Sequence, residues 1–209
     1  MQILSHRGWW TTPGEKNSPS AFTRSFAAGY GTETDLRDAL GRLVISHDPP
    51  AADALAADTF FELYRASGPD LPLALNVKAD GLQALLRAAL EKYAVANYFL
   101  FDMSLPDALV SIRHGLTVFT RQSEWEPEPL FYTEAAGVWM DCFLGEWMTD
   151  STIGRHLDAG KRVCIVSPEL HRRDPRVFWD RLARMDLHNS NALMLCTDRP
   201  DEAKAVLHG

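Results

Sequence analysis

Apolar residues in this chain gather into short runs. Runs of strand character fall at 2–5, 31–35 with a hairpin return at 43–46, 71–78, 98–103, 116–121, 137–143, 162–167 and 192–197. Most are apolar throughout rather than alternating, the pattern of parallel strands covered on both faces. Helical periods lie between them. Phe22 and Phe26 stand four apart in 19–28, and Leu82, Leu85, Leu86 and Leu90 make one stripe in 81–94. Segments 52–66, 106–113, 152–159, 175–185 and 201–207 follow. Pro19, Pro106 and Pro175 sit near helix starts, and Gly115 and Gly160 at helix ends. Counting the hairpin with its strand, the strand–helix unit recurs eight times. That predicts an α/β fold, a small and compact (β/α)8 TIM barrel. The fifth unit is expected to have a short or missing helix, because EWEPEPLFYTEAA holds two prolines and little helical period. No linker-like stretch divides the chain, so 1–209 reads as a single domain. An open doubly-wound sheet is the competing fold, but no GxGxxG or GxxxxGKS motif follows the first strand.

Composition narrows the partners. The chain has 209 residues, 46% of them hydrophobic and 23% charged, with a formal net charge of −7. This supports a real core and excludes disorder as the main story. An acidic chain without basic clusters is a poor partner for nucleic acid or anionic membranes. No apolar stretch reaches the length of a membrane span and none resembles a signal peptide, so stable membrane insertion is not expected and a cytoplasmic location is. Cys142, Cys164 and Cys196 each sit in an apolar stretch and read as buried reduced thiols. Oligomeric state is left open.

The polar residues carry the chemistry. In such a barrel, chemistry belongs at the C-terminal ends of the strands. Those ends hold His6 and Arg7, Glu33 and Asp35, His47 and Asp48 on the hairpin return, Asn76 and Lys78, Asp102, Arg121, Asp141, Glu169 and Asp198. Taken singly, Asp102, Asp141 or Asp198 reads as a helix cap or surface ion pair. Glu33 and Asp35 are two apart on a strand and share a face. Either they are solvated acids on an edge strand, or they hold a hard divalent cation such as Mg²⁺ or Ca²⁺. Asn76 and Lys78 repeat the spacing; the amide oxygen is a legitimate further metal ligand, and the ammonium suits a phosphate oxygen. Asp102 and Arg121 complete the candidate phosphate and substrate contacts. His6 and His47 are the proton-transfer candidates, one able to act as base and the other as acid. His114, His156, His171, His188 and His208 read as structural or solvated.

The first fifty residues resemble the glycerophosphodiester phosphodiesterase family, within the wider phosphatidylinositol-specific phospholipase C-like barrels. The matching pieces are SHRG at 5–8, GEKNSPSAF at 14–22, AAGYGTETDLRD at 27–38 and GRLVISHDP at 41–49. The resemblance implies metal-dependent hydrolysis of a small, glycerophosphodiester-like ester. In it His6 and His47 are acid and base, Glu33 and Asp35 are metal ligands, and Arg7 contacts phosphate. The family usually carries Glu-x-Lys on the third strand where this chain has Asn76-x-Lys78, and the segment after the His-Asp return looks shortened. The later motifs FDMS, TRQSEWEPEP, WMDCF and SPELHRR match no generic family pattern. Trp9, Trp10, Trp125, Trp139 and Trp147 either line a headgroup or pack beneath loops. Competing readings are a catalytically silent barrel that binds a phosphorylated ligand, a phosphodiester lyase releasing a cyclic phosphate, and an unrelated barrel using Lys78 as a Schiff-base amine.

Overall fold

A computed structural model describes residues 1–68, 70–185 and 190–209. The elements run β1 (Gln2–His6), α1 (Pro19–Ala27), β2 (Gly31–Ala39), β3 (Arg42–Ile45), β4 (Leu55–Ala56), α2 (Ala57–Ser67), β5 (Leu73–Val77), α3 (Gln83–Lys92) and β6 (Tyr98–Phe101). Then come α4 (Leu105–Arg113), β7 (Phe119–Gln122), β8 (Gly137–Met140), α5 (Asp150–Asp158), β9 (Arg162–Val166), α6 (Arg176–Arg184), β10 (Leu193–Thr197) and α7 (Pro200–Leu207).

The strands close a ring. β1 pairs in parallel with both β2 and β10. One arc continues β2–β5–β6 and the other β10–β9–β8–β7. The arcs meet at a parallel bridge between Leu100 and Val118, where the Leu100 amide donates to Thr117 O at 2.8 Å. Eight parallel strands therefore form the predicted barrel, and an open doubly-wound sheet is excluded because the Leu100–Val118 bridge joins the two ends of the sheet. β3 and β4 are an antiparallel extension of the far end of β2. As expected, no helix intervenes between β7 and β8.

Strand parity sorts the side chains. Leu4, Ala74, Phe99, Phe119, Cys164 and Met194 face inward as one cluster. The Phe99 and Phe119 rings stack at 3.7 Å, and Phe101 stacks on Trp139 at 3.9 Å. Gly137 makes room for them, since a Cβ there would lie 2.4 Å from the Phe119 ring. The outward residues pack under the helices in two larger clusters. All three cysteines are free and buried. Among the described residues, no helix is long and apolar enough to cross a membrane.

Candidate active site

The inward parity that fills the barrel also aims the polar residues. His6, the last residue of β1, is in register with Glu33, and Asp35 is in register with Asn76. One layer above the aromatic plug, the facing positions therefore change from apolar to ionisable.

His6 Nδ1 lies 2.7 Å from Asp198 Oδ1, and its Nε2 lies 3.8 Å from Glu33 Oε2. The Asp198 carboxylate fixes the ring and leaves Nε2 as the working nitrogen. Asp198 is itself held: Lys16 Nζ lies 3.5 Å from Oδ2, and its amide donates to Glu169 Oε1 at 3.0 Å. These contacts with His6 and Lys16 outweigh burial and hold the Asp198 carboxyl below its ordinary range. Helices after the fourth and sixth barrel strands are capped by the Ser104 and Thr149 side chains, and Arg199 holds the N-cap position of the helix after the eighth. Asp102, Asp141 and Asp198 are therefore not helix caps.

Glu33 and Asp35 are buried, with 1% and 0% of their surface exposed. β2 is flanked by β1 and β5, so the solvated edge-strand reading fails. Burial, reinforced by the neighbouring Asp35 charge, pushes the Glu33 carboxyl up to about 7, while His6, Arg7 and Lys78 pull it the other way. The turn after β1 supplies the compensating charge. Arg7 adopts φ +58°, and its amide donates to Glu33 O at 3.0 Å and to Glu33 Oε2 at 3.2 Å. Its Nε lies 2.9 Å from Asp35 Oδ2 in an ionic contact without hydrogen-bond alignment. Gly8 follows at φ +82°, where a Cβ would meet Ala21 Cβ at 2.8 Å. Asn17, from the GEKNSP segment, donates Nδ2 to Asp35 Oδ2 and accepts from Thr34 Oγ1, both at 2.9 Å.

Two buried oxygens are left over. Asp35 Oδ1 and Asn76 Oδ1 have no hydrogen-bond donor, and the Lys78 ammonium stands 3.6 Å from the former. Buried acceptors are seldom left unsatisfied without a reason. Two adjacent acids with an amide oxygen beside them form a hard oxygen set that fits Mg²⁺ or Ca²⁺. Among the described residues, however, no three His, Cys, Asp or Glu side chains converge in ligating geometry. Substrate or water oxygens would have to complete such a shell.

Above these groups opens a cleft of about 310 Å³. Its lining includes His6, Arg7, Glu33, His47, Asn76, Lys78, Asp102 and Arg121. Eight of the nine candidate site residues thus line one cleft, and the ninth, the buried Asp35, contacts Arg7 and Lys78 of that lining. His47 stands on the exposed rim after β3, its Nδ1 2.9 Å from Asp48 Oδ1. Lys78 bridges inward to Asp35 and outward to Asp102 at 3.5 Å. Arg121 is already engaged: NH1 lies 2.6 Å from Asp102 Oδ1, and Nε and NH2 lie 2.9 and 3.0 Å from the two Glu126 oxygens.

His171 departs from the sequence reading of a structural or solvated residue. After β9, a 3₁₀ turn (Pro168–His171) carries it back over the mouth, where it lines the cleft with Nε2 2.6 Å from Asp141 Oδ1. Burial raises the Asp141 carboxyl, and His171 partly offsets this. His171 sits five residues beyond Val166, the end of its strand, too far for strand parity to reveal it. His156 is structural as expected, buried and bonded to Tyr132 Oη at 2.9 Å and Gln122 Oε1 at 2.8 Å. His188 lies outside the described residues. Of the tryptophans, Trp139 lines the cleft floor, Trp9 packs edge-on against Tyr30, and Trp10 lies under the Lys16 ammonium at 4.5 Å.

The sequence matches no protein-family model and no curated protein. Solved structures do match over the whole chain. A candidate glycerophosphodiester phosphodiesterase from Galdieria sulphuraria superposes with a TM-score of 0.79 at 16% identity, covering 100% of this chain and 98% of the other. The chain shares the barrel fold of the glycerophosphodiester phosphodiesterases. The enzyme of that name from Agrobacterium tumefaciens str. C58 gives 0.76 at 18% identity, covering 100% of both chains. An Oleispira antarctica phosphodiesterase, solved with its product sn-glycerol-3-phosphate, gives 0.70 at 14% identity, covering 100% and 97%.

Proposed function

We propose that this protein hydrolyses a small phosphodiester of the glycerophosphodiester type. The observation that carries the reading is one cleft lined by His6, His47, Arg7, Lys78, Glu33 and Asn76, with the buried Asp35 in contact with Arg7 and Lys78 and the Oδ1 atoms of Asp35 and Asn76 left without donors. Support also comes from the fold, since the Oleispira phosphodiesterase binds a glycerol phosphate in the same barrel type.

Each residue has a task that follows from its surroundings. His6, oriented by Asp198, and His47 on the exposed rim divide the proton work. One takes the proton from the attacking water and the other gives one to the departing alkoxide. Arg7 and Lys78 attract the anionic phosphate and offset the Glu33–Asp35 charge. Lys78 is the better placed of the two to follow charge building on the phosphoryl oxygens. Glu33, Asp35 and Asn76 would hold a divalent cation, Mg²⁺ or Ca²⁺. When bound, such an ion neutralises part of the transition-state charge. Asp102 and Arg121 bound the substrate on the side away from His6. A cleft of about 310 Å³ accommodates a small diester and little more.

A second reading, a silent barrel that binds a phosphorylated ligand, draws on the Arg7–Asp35 contact at 2.9 Å, which already places a protein cation on the acid pair. The deciding measurement is turnover of a nitrophenyl phosphodiester and of a glycerophosphodiester with added Mg²⁺, Ca²⁺ or Mn²⁺, then with chelator. Turnover abolished by chelation and restored by one ion is expected. Turnover surviving exhaustive chelation refutes the metal role, and none under any condition favours the silent barrel. Phosphorus NMR of the products separates hydrolysis from release of a cyclic phosphate.

A further inference from the structure

The ring order gives the cleft two chemically different walls. β2 and β8 are separated by β5, β6 and β7 on one side and by β9, β10 and β1 on the other. They stand diametrically opposite, and β5 and β9 do likewise. One wall, from β1, β2 and β5, carries His6, the acid pair, Asn76 and Lys78. The facing wall carries Asp141 from the end of β8 and His171 from the turn after β9, and both line the same cleft.

This facing pair is rigid but not saturated. Asp141 Oδ1 accepts from His171 Nε2 at 2.6 Å and from the Cys142 amide at 2.7 Å. The Trp147 indole donates to the Asp141 carbonyl at 2.7 Å and fixes its backbone. Among the described residues, Asp141 Oδ2 and His171 Nδ1 have no hydrogen-bond partner. Arg121, the cation of the cleft lining on this side, is engaged by Asp102 and Glu126. Phe143 places its ring 5.1 Å from the imidazole while 47% of its surface stays exposed.

The chemistry of the two vacant polar atoms is selective. A carboxylate oxygen only accepts, so it repels phosphate and welcomes a hydroxyl. The hydrogen bond from Nε2 to the carboxylate leaves Nδ1 of the neutral ring as a second acceptor, and protonation turns it into a donor. Two such atoms next to one aromatic face match a short polyol, its hydroxyls on the polar pair and its C–H edge on Phe143.

We propose that Asp141 and His171 form a hydroxyl-binding subsite that selects the polyol part of the ligand, opposite the phosphate-binding wall. The inference rests on the phosphodiester reading for the ligand class, and it assigns the pair a positioning role rather than proton transfer to the reacting atoms. It also gives the WMDCF and SPELHRR segments a function.

Calorimetric titration of wild type, His171→Ala and Asp141→Asn with glycerol phosphate and with methyl phosphate tests it. The two probes share a phosphate and differ in hydroxyls. Wild type is expected to prefer glycerol phosphate by about tenfold or more, the worth of one or two hydrogen bonds to charged or polar partners. In both variants the ratio should fall to near one because glycerol phosphate weakens while methyl phosphate does not. Asp141 is nearly buried and Asp141→Asn can lose structure, so His171→Ala, at a more exposed side chain, decides the matter if circular dichroism shows the other misfolded. Three results would overturn the subsite: no preference in wild type, a preference retained in His171→Ala, or parallel weakening of both probes. A wild type that binds with the expected preference but never turns over a diester would sink the hydrolase reading and leave the subsite standing.

Discussion

His6 and His47 bring the same imidazole into different surroundings, and this difference is testable. His6 is clamped between Asp198 and Glu33, whereas His47 is exposed and touches only its neighbour Asp48. Replacing His47 by Ala should therefore lower turnover by roughly 10²–10⁴-fold, the usual worth of one acid–base group, with an unchanged melting temperature. Asn76 offers a sharper probe. Asn76→Glu restores the carboxylate usual in the resembling family, beside Asp35 in register. We expect tighter Mg²⁺ or Ca²⁺ binding by calorimetry and lower stability without the ion, because a third buried acid adds repulsion. Unchanged ion affinity would show that Asn76 is not a ligand. Side chains on regular strands were legible in the sequence, since residues two apart share a face. Asp198, 192 positions from the His6 it orients, was visible as a strand-end acid but not as a partner. Asn17 and His171 sit on irregular segments where no period applies.

The SHRG turn shows how a short element positions chemistry. Arg7 and Gly8 both take positive φ, which turns the chain sharply so that the Arg7 amide and guanidinium each reach a different acid of β2. Ala at position 8 would need left-handed backbone and a 2.8 Å contact with Ala21. Gly8→Ala should cost roughly 1–3 kcal/mol in denaturant unfolding and weaken phosphate affinity as Arg7 is displaced. Full stability in that variant would show that α1 can yield. The absent fifth helix was legible from its prolines, while the closing turn Pro168–His171 was not. A single 3₁₀ turn leaves no repeating pattern, and its place over the cleft depends on β8 and β9 being adjacent.

Charge and burial together make a prediction for the folded molecule. Glu33 has an ordinary value near 4.5 and is raised to about 7 in the fold. Between those values the folded state holds a proton that the unfolded chain has released, so stability must fall as pH rises across that window. Asp141 is shifted in the same direction, so its contribution also falls as pH rises above its ordinary value near 3.8. Asp198 has the opposite sign, stabilising above its ordinary value near 3.8 and losing that contribution only in stronger acid. Chemical unfolding of chelator-treated protein between pH 4.5 and 7 should show this decline, with a flatter profile in Glu33→Gln and in the presence of a bound divalent ion. A level profile for chelator-treated wild type would mean that the Glu33 carboxyl is not raised in the fold.

The order of apolar runs and the i, i+2 acids were enough to anticipate the barrel and most of the residues at its mouth. Local period and strand parity are properties of the chain alone, and eight repeated units can bury their apolar faces by closing on one another. Contacts across the ring are different in kind. The clamp of Asp198 on His6, the engagement of Arg121 by Asp102 and the Asp141–His171 pair opposite the acids all depend on which strands close against which. That follows from through-space distance, and spacing along a sequence carries no record of it.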